Sequence, residues 1–496
     1  MTTNDVRTPL FSRGASTEHA IVVGGSIAGM LAARVLSDYF TRVTVLDRDA
    51  FPEAPEHRKG IPQSHHAHGL LERGHRIIEQ LFPGIIEQMQ ADGATVSAPG
   101  SVPLVLVSPK GKLRPLPAEE GSVAFSRYFM EWHIRRRLGQ RGNLRIVSNC
   151  EVEQLLATAG GDRIIGVQAR RRGSGQPPER LEADLVVDAS GRHSRVPQWL
   201  TALGYDAPEE ETINSNIGYA SRFYAKPARF PASWSSIIIN GRPPDNPRAG
   251  LILAIEHDRW HVTMGGFAGH YPPTDEAGFL QWAKELPDPS IYEAIRIAQP
   301  LTPIRGFRTP RNRLRHFDRL ERWPERLVAT GDSVCAFNPI YGQGMTTSAL
   351  DALALEQSLR EQQQRPRAGF EQRFQRRVAQ TVAAPWLIAT GEDLRWEGIA
   401  LEGARPRWGL RWIHRYMDLV LEQARGDQIV SQAYSDVLNM MQTPESLMRP
   451  RVAGRVLMGV IVRGLGVAAP ASDDQGPLAL SPQALAVLRE REAARV

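Results

Sequence analysis

The chain has 496 residues, which is enough for two or three domains, and its apolar content of 42% is ordinary for a globular protein. The net charge of +6 is spread among interleaved acidic residues, which argues against nucleic-acid binding, and no apolar run reaches the roughly 18–20 residues of a membrane-spanning helix. With two cysteines, no Cys/His cluster spaced for zinc and a polar N-terminal stretch, the sequence predicts a cytoplasmic protein without a metal site.

After a lead-in over residues 1–18 that we expect to be disordered, the stretch VVGGSIAGMLAARVL predicts a strand, a glycine-bearing turn and a helix. A second apolar strand ends at Asp47, which follows Gly29 by 18 positions. In a dinucleotide-binding βαβ unit, Gly24 would permit the tight turn and Gly29 would let the helix pack on the strand. The middle glycine of that motif is replaced by Ser26, so an ordinary tight turn remains an alternative.

Residues 58–84 predict a loop followed by a helix that begins near Leu70 and ends at Pro83-Gly84. The loop carries His65, His66 and His68, which we interpret either as part of a ligand site or as ordinary surface histidines. No carboxylate or cysteine lies near them in sequence, so a metal site is not favoured.

Strands are expected within residues 92–125, a helix over 126–140 with Ser126 as its N-cap, and a hairpin that turns at Gly160-Gly161. A buried strand then runs into Asp188 and the turn at Gly191, where Arg192 and Arg195 are placed to reach a pyrophosphate. A strand-ending turn with solvated arginines explains this segment equally well.

From 212 to 310 the pattern is mostly β and predicts an antiparallel sheet inserted into the first domain, with helices over 275–299. A strand, a glycine turn and a long helix return at 326–359. There Asp332 can bond ribityl or ribose hydroxyls, Pro339 stiffens the loop, and Gly342 and Gly344 leave room for a flat ring next to a helix N-terminus. We interpret Cys335 as a packed small residue rather than a reactive thiol.

The predicted domains are therefore a discontinuous dinucleotide-binding domain over 19–211 and 311–365, a β-sheet domain over 212–310, a helical region over 366–470 and a loosely ordered tail over 471–496. The helical region mixes arginine with tryptophan, which suits a lid, a dimer face or a membrane-surface patch. The sequence leaves the oligomeric state open.

Taken together, the dinucleotide turn, the D-x-S-G-R turn and the G-D…P…G-x-G segment resemble the group A flavoprotein monooxygenases of the para-hydroxybenzoate hydroxylase fold. The segments RKGIPQSHHAHGLL, VVDASGRHSR and FNPIYGQGMTTSAL resemble the branch that contains the bacterial polyether epoxidases and is related to squalene epoxidase. The resemblance extends to APWLIATGEDLRW near the C-terminus. It implies an α/β fold with a discontinuous Rossmann-like FAD domain, an inserted antiparallel sheet and C-terminal helices.

The resemblance also implies which residues bind FAD. The pyrophosphate would lie at the first turn, the ribose at Asp47, the phosphates near Arg58 and Arg127, and the adenine near Val152. The full set of expected cofactor contacts is Gly24, Gly25, Ser26, Ala28, Gly29, Asp47, Arg48, Arg58, Arg127, Val152, Asp188, Asp332, Pro339, Gly342, Gln343, Gly344 and Met345. No catalytic side chain stands out, and Gln343, Gly344 and Met345 would lie nearest the reactive edge of the flavin.

The implied activity is a monooxygenase reaction, in which a flavin C4a-hydroperoxide transfers one oxygen atom from O2 to a hydrophobic small molecule. We favour epoxidation of an alkene in a polyketide- or terpenoid-like secondary metabolite. Aromatic hydroxylation and a reductase of the geranylgeranyl type are the alternatives. The segment Asp188-Ala189-Ser190-Gly191 departs from the G-A-D-G of many hydroxylases, so NAD(P)H would act directly or through a separate flavin reductase. Substrate-wall candidates, for which core packing is the alternative, are Phe223, Trp260, Met264 and Phe267.

Overall fold

The computed structural model describes residues 18–97, 102–116, 123–228, 230, 234–308, 311–403 and 408–464. The lead-in and the tail expected from the sequence, apart from Glu18, lie outside these ranges. The strands are β1 (His19–Val23), β2 (Arg42–Leu46), β3 (Thr95–Val96), β4 (Val102–Ser108), β5 (Gly111–Lys112), β6 (Val123–Ala124), β7 (Leu144–Val147), β8 (Cys150–Ala157), β9 (Ile164–Arg171), β10 (Glu179–Glu182), β11 (Leu185–Asp188), β12 (Glu210–Asn214), β13 (Gly218–Ala225), β14 (Trp234–Ile239), β15 (Arg248–Ile255), β16 (Arg259–Gly266), β17 (Gln299–Pro300), β18 (Arg305–Arg308), β19 (Asn312–Arg315), β20 (Leu327–Ala329), β21 (Cys335–Ala336) and β22 (Ala400–Glu402).

Helices cover the first sheet and make up most of the C-terminal part. They are α1 (Ile27–Leu36), α2 (Glu72–Leu81), α3 (Ile85–Ala91), α4 (Arg127–Gly139), α5 (Val196–Ala202), α6 (Glu276–Lys284), α7 (Ser290–Ile295), α8 (Gly344–Gln364), α9 (Phe370–Asp393), α10 (Leu410–Ala424), α11 (Gln428–Leu438) and α12 (Pro450–Gly464). None of the helices in these described ranges is long and apolar enough to cross a membrane.

The first sheet is parallel, with strand order β20-β11-β1-β2-β7. Its central strands are short apolar runs buried on both faces, as expected of a parallel sheet covered by helices. Because β20 comes more than a hundred residues after β11 in the sequence, three sequence-distant turns meet at one edge of this sheet. The mixed α/β fold with a Rossmann-like parallel core and C-terminal helices is confirmed.

The second sheet has eight strands in the order β17-β13-β16-β15-β14-β4-β5, with β18 also paired to β13. It is antiparallel except where β14 runs parallel to β4. Strand β4 lies within the range assigned from sequence to the FAD-binding domain, but it lengthens this second sheet. The alternation of apolar residues predicted the strand, and only long-range pairing could reveal which sheet it joins.

Several local predictions are confirmed. Ser126 caps α4, since its Oγ accepts a hydrogen bond from Phe129 N at 3.3 Å. Helix α2 ends just before Pro83, and β8 and β9 form the expected hairpin with Gly161 at a positive φ of 73°. Cys335 is buried, and burial raises the pKa of its thiol well above the usual range, as suits a packing residue. Trp408 and Trp412 are exposed beside and on α10, but a membrane contact there stays a prediction.

The first crossover turn is built on close backbone contact. Gly24 has a φ of +103°, and a Cβ there would lie 2.4 Å from the Ala189 carbonyl oxygen. A Cβ at Gly29 would lie 1.8 Å from the Gly24 carbonyl oxygen. Helix α1 therefore starts directly against the end of β1, which confirms the steric reasons given for these two glycines.

We predict that Gly29→Ala destabilises the protein by about 3 kcal/mol or more, because the atom it collides with is backbone and cannot rotate away. Chemical denaturation of the purified variant measures this loss. Gly454→Ala is the matched control, since Gly454 lies in helix α12 and a methyl group added there would have nothing within 4 Å. That control should gain up to about 1 kcal/mol. Equal stability of Gly29→Ala and the wild type would contradict this packing.

Candidate functional site

The N-terminus of α1 lies among buried charged side chains. Asp47, just after β2, accepts hydrogen bonds from Gly25 N at 2.6 Å and from Asp49 N at 2.8 Å. Its carboxylate also lies 3.4 Å from Arg58 Nη1. The structure thus places Asp47 beside the turn, as the sequence indicated, and its contact with a ribose stays a prediction.

Two arginines approach the same helix end from different elements. Arg58 pairs with Glu131 through Nη2 and Oε1 at 2.5 Å. Arg127, the first residue of α4, donates from Nη2 to Ser26 Oγ at 3.0 Å, and its Nε has no hydrogen-bond partner among the described residues. Burial lowers the pKa of Arg127, so an anion placed there would be strongly favoured. Two largely buried arginines therefore lie at the N-terminus of α1, where the sequence analysis expected phosphate contacts, and that role stays a prediction.

Glu131 was not among the sequence candidates. It lies one helical turn after Arg127 on α4, and this spacing of four was the only local signal for it. A small cleft opens beside it and is lined in part by Arg58, Tyr128, Trp132 and Arg135. Glu131 offsets the charge of the two arginines and fixes their positions.

The second turn lies against the first and the third. Asp188 is fully buried, and its two oxygens accept hydrogen bonds from Ser190 Oγ at 2.6 Å and Ser194 Oγ at 2.7 Å. Burial raises the pKa of this carboxyl. These hydrogen bonds hold the second turn, and the contact with FAD that the sequence analysis expected for Asp188 stays a prediction. Arg192 donates to the Phe337 carbonyl and so ties the second turn to the third.

The third turn runs from Gly331 to the start of α8. A Cβ at Gly331 would lie 2.6 Å from Ala28 Cβ, so this turn touches α1. Asp332 keeps a partly exposed carboxylate, 3.8 Å from Arg192 Nε. Gln343 is buried, and its Oε1 has no hydrogen-bond partner within the described ranges. These groups face the positive end of a 21-residue helix, which is a setting suited to an anionic ring.

Asp351, on α8, was missed by the sequence analysis. Its Oδ2 accepts hydrogen bonds from Thr330 Oγ1 and Gly331 N, each at 3.0 Å. Burial raises the pKa of Asp351 to about 7. This carboxyl fixes the glycine turn that precedes Asp332, and only the folded contact identifies it.

The remaining cofactor candidates lie near the same turns, but they make few contacts that bear on FAD binding. Val152 lies in β8, two residues after Cys150, whose N–H donates to the Asp47 carbonyl at 2.8 Å. Arg48 is exposed, and its carbonyl accepts a hydrogen bond from Arg172. Pro339 opens a short 3-10 turn, Gly342 follows it with a φ of +64°, and Gly344 and Met345 begin α8. The roles of these residues toward FAD stay predictions.

The histidine loop of residues 57–71, called here the strap, lies between the second sheet and the three turns. His66 Nδ1 is 2.7 Å from Ser221 Oγ, and Ala67 N donates to Thr263 Oγ1 at 3.1 Å. At its far end Leu71 N donates to Thr346 Oγ1 at 3.2 Å. The strap therefore spans from the sheet to α8, which supports the interpretation that it borders a ligand site.

The histidines around the strap are held neutral. Burial, as the largest cause, lowers the pKa of His57 and of His66 to about 4 and that of His261 to about 3. His57 stacks on His65 at 4.0 Å, and Phe223 stacks on His261 at 4.1 Å. Within the described residues no group of three or more His, Cys, Asp or Glu side chains could hold a metal ion.

The four substrate-wall candidates divide between two faces of the second sheet. Phe223 points toward the strap, and Phe267 stacks on Trp396 at 4.9 Å. Trp260 and Met264 lie on the opposite face, within the core covered by α6 and α7. These two residues pack in the core, which is the role that the sequence analysis kept open for them beside substrate contact. Side chains alternate along a strand, and Trp260 and His261 therefore cannot share a face.

Comparisons with known proteins agree with this arrangement. The model of a family described as FAD binding domain matches residues 17–367. Protein Rv3254 of Mycobacterium tuberculosis is 33% identical over 450 residues, which cover 90% of this chain and 94% of that protein.

Solved structures share the fold at low sequence identity. A flavoprotein/dehydrogenase from Cytophaga hutchinsonii superposes with a TM-score of 0.64 at 14% identity, over 90% of this chain and 99% of that one. The p-nitrophenol 4-monooxygenase PnpA from Pseudomonas putida DLL-E4 has a TM-score of 0.59 at 16% identity, over 86% of this chain and 98% of that one.

The neutral histidines predict an acid-sensitive fold. Each pKa in the folded protein lies below the value near 6.5 of an unfolded chain, so between about pH 4 and pH 6.5 the unfolded state binds more protons. The free energy of unfolding should therefore fall as the pH drops through this window, by about 3 kcal/mol for each fully buried histidine.

Urea titrations at several pH values measure this dependence. His66→Gln should reduce the slope by up to one proton, and His193→Gln, at an exposed position, should leave it unchanged. A slope that is the same in the wild type and in His66→Gln would refute a neutral His66.

Proposed function

We propose that this chain, which belongs to the FAD binding domain family, is an FAD-dependent monooxygenase that epoxidises an alkene of a hydrophobic, polyketide- or terpenoid-like molecule. The observation that carries the choice of epoxidation is the set of low-pKa histidines on the proposed substrate side. The FAD-binding part would comprise residues 19–211 and 311–365, with the substrate part over 212–310.

The residues at the three turns fit an FAD molecule. Arg127, whose Nε makes no hydrogen bond within the described part of the chain and lies 3.9 Å from Glu131 Oε2, would contact a pyrophosphate together with the N–H groups at the start of α1. The glycines leave backbone exposed to it. Asp47 and Asp332 would receive sugar and ribityl hydroxyls, while the N-terminus of α8 would face the ring. When bound, FAD supplies the redox chemistry that activates oxygen, and the chain binds, orients and shields.

The substrate would lie between the strap-facing side of the second sheet and the loop from Pro339 to Met345. Phe223 and its stacked imidazoles offer flat apolar surface there, and their burial excludes water. The strap fills part of this space, so we propose that it shifts when substrate enters.

Epoxidation of an isolated alkene needs no base, whereas hydroxylation of a phenol is helped by its deprotonation. An imidazole whose pKa is about 4 or 3 is a poor acceptor for a phenol proton near pKa 10. This difference of about six to seven pKa units favours the alkene. Aromatic hydroxylation and alkene reduction are kept as outcomes of the test below.

We predict that Arg127→Met weakens FAD binding at least tenfold, because a charge-assisted hydrogen bond to a phosphate is worth about 1.5–3 kcal/mol. Titration of the apoprotein with FAD, followed by flavin fluorescence, measures the dissociation constant. Arg411→Met, at an exposed position on α10, is the control and should bind FAD as the wild type does. Equal affinities for all three proteins would remove Arg127 from the cofactor site.

We predict that the FAD-loaded enzyme consumes O2 with a polyene and yields an epoxide that carries one labelled oxygen atom from ¹⁸O₂. The assay is run with NADPH alone and with NADPH plus a flavin reductase, because the electron donor is itself a proposal. A phenol in place of the polyene should give no oxygenated product. Ring-hydroxylated phenol as the sole product would establish the hydroxylase, and a saturated alkene without O2 uptake would establish the reductase.

A further inference from the structure

The last residue of α9, Asp393, carries a buried carboxylate to which the proposed reaction assigns no role. Asp393 is completely buried, and it ends the APWLIATGED segment that the sequence singled out. It accepts hydrogen bonds from Tyr341 OH at 2.6 Å, from Asn312 Nδ2 at 2.5 Å and from Asn338 Nδ2 at 3.2 Å. Each of these hydrogen-bond partners is neutral, so the carboxylate is held by a polar network rather than by an ion pair.

This network joins three parts of the molecule. Asn338 and Tyr341 flank the turn that leads to Gly342, while Asn312 belongs to β19. Tyr219, on β13 of the second sheet, donates to Asn338 Oδ1 at 2.7 Å. Helix α9, the proposed flavin loop and the proposed substrate sheet therefore meet around the Asp393 carboxylate.

Asp393 also decides how the Asn338 amide is oriented. A carboxylate only accepts hydrogen bonds, so the NH2 group of Asn338 must point toward it. The amide oxygen then faces the opposite way, where it accepts from Tyr219 OH and from Ile340 N at 3.3 Å. The second contact caps the 3-10 turn of Pro339–Tyr341, which precedes Gly342 at its positive φ. Asp393 thus sets the shape of the loop without touching its tip.

Trp396, three residues beyond the end of α9, packs beside the same loop and sheet. Trp396 stacks on Phe267 at 4.9 Å with an interplanar angle of 17°. Phe267, Tyr219 and Trp396 form one apolar cluster against which Ile340 packs. The end of α9 therefore contacts both sides of the proposed substrate space.

We propose that Asp393 is a positioning residue, which holds the Asn338–Gly342 loop in the shape that seats the reactive edge of the flavin, so that the end of α9 is part of the active site. This inference rests on the proposed function, because it requires FAD at that loop. Asp393 acts through Asn338 and Tyr341 and takes no part in bond making.

The test compares Asp393→Asn with the wild type after both are loaded with FAD. The new amide NH2 group would face N–H and O–H donors that now donate to Asp393. We expect the Asn338 amide to rotate by half a turn in response, which would remove the hydrogen bond from Ile340 N to its oxygen. We expect FAD affinity to change less than threefold, because the pyrophosphate turn is untouched. The absorbance spectrum of the bound flavin should shift, and the ratio of epoxide formed to O2 consumed should fall at least fivefold, with the lost oxygen released as peroxide.

Two further variants keep the test decisive. Glu392→Gln removes a carboxylate from the adjacent, solvent-facing position at the same helix end and should match the wild type in spectrum and coupling. Tyr341→Phe removes one hydrogen bond to Asp393 and should shift both readouts in the same direction by a smaller amount. If Asp393→Asn does not fold, as judged by thermal melting, Tyr341→Phe decides.

A spectrum and coupling ratio unchanged in both Asp393→Asn and Tyr341→Phe would overturn the inference, as would equal changes in Glu392→Gln. A wild-type protein that holds FAD but does not epoxidise would overturn only the proposed epoxidation, since the flavin spectrum still reports on Asp393. A wild-type protein that holds no FAD would overturn both.

Discussion

The contact between the backbone of Gly24 and that of Gly29 brings the start of α1 against the end of β1. Because β1, β11 and β20 are parallel neighbours, the turns that follow them open at the same edge of the sheet. Residues more than 140 positions apart in sequence are thereby within contact, as the hydrogen bond from Gly191 N to Ser333 Oγ at 3.0 Å illustrates. Every feature of the cofactor site depends on this convergence of strand ends.

Charge around the site is balanced locally rather than exposed. Arg58 and Arg127 are offset by Asp47 and Glu131, which keeps the arginines ordered while leaving donor atoms directed at the α1 terminus. On the proposed substrate side the histidines are neutral because burial lowers their pKa values, so their charge is absent rather than balanced by an ion pair. The two halves of the proposed site therefore differ in electrostatic character: the first suits anionic groups and the second suits an apolar ligand.

The sequence predicts most of what depends on local backbone geometry. The turn glycines, the Ser126 cap and the strand-ending acids follow from residue type and spacing, and the resemblance supplied the family. Trp260 and Met264 alternate with His261 and Thr263 along β16, but both faces of this strand are buried, so the alternation does not tell which face borders the ligand site. Asp351 and Asp393 escaped notice because their partners are distant in the chain, and only folding brings a carboxylate to the amide or hydroxyl it must satisfy. Glu131 had one local signal, its spacing of four from Arg127, but its pairing with Arg58 appears only in the folded chain.

The central claim is that FAD extends from the Gly24–Gly29 turn to the loop before α8. The most direct measurement is a crystal structure of the protein soaked or co-purified with FAD. The account predicts electron density for the pyrophosphate at the N-terminus of α1 and for the isoalloxazine ring against the backbone of residues 342–345. Density for FAD elsewhere on the molecule, or a ring that lies away from that loop, would contradict it.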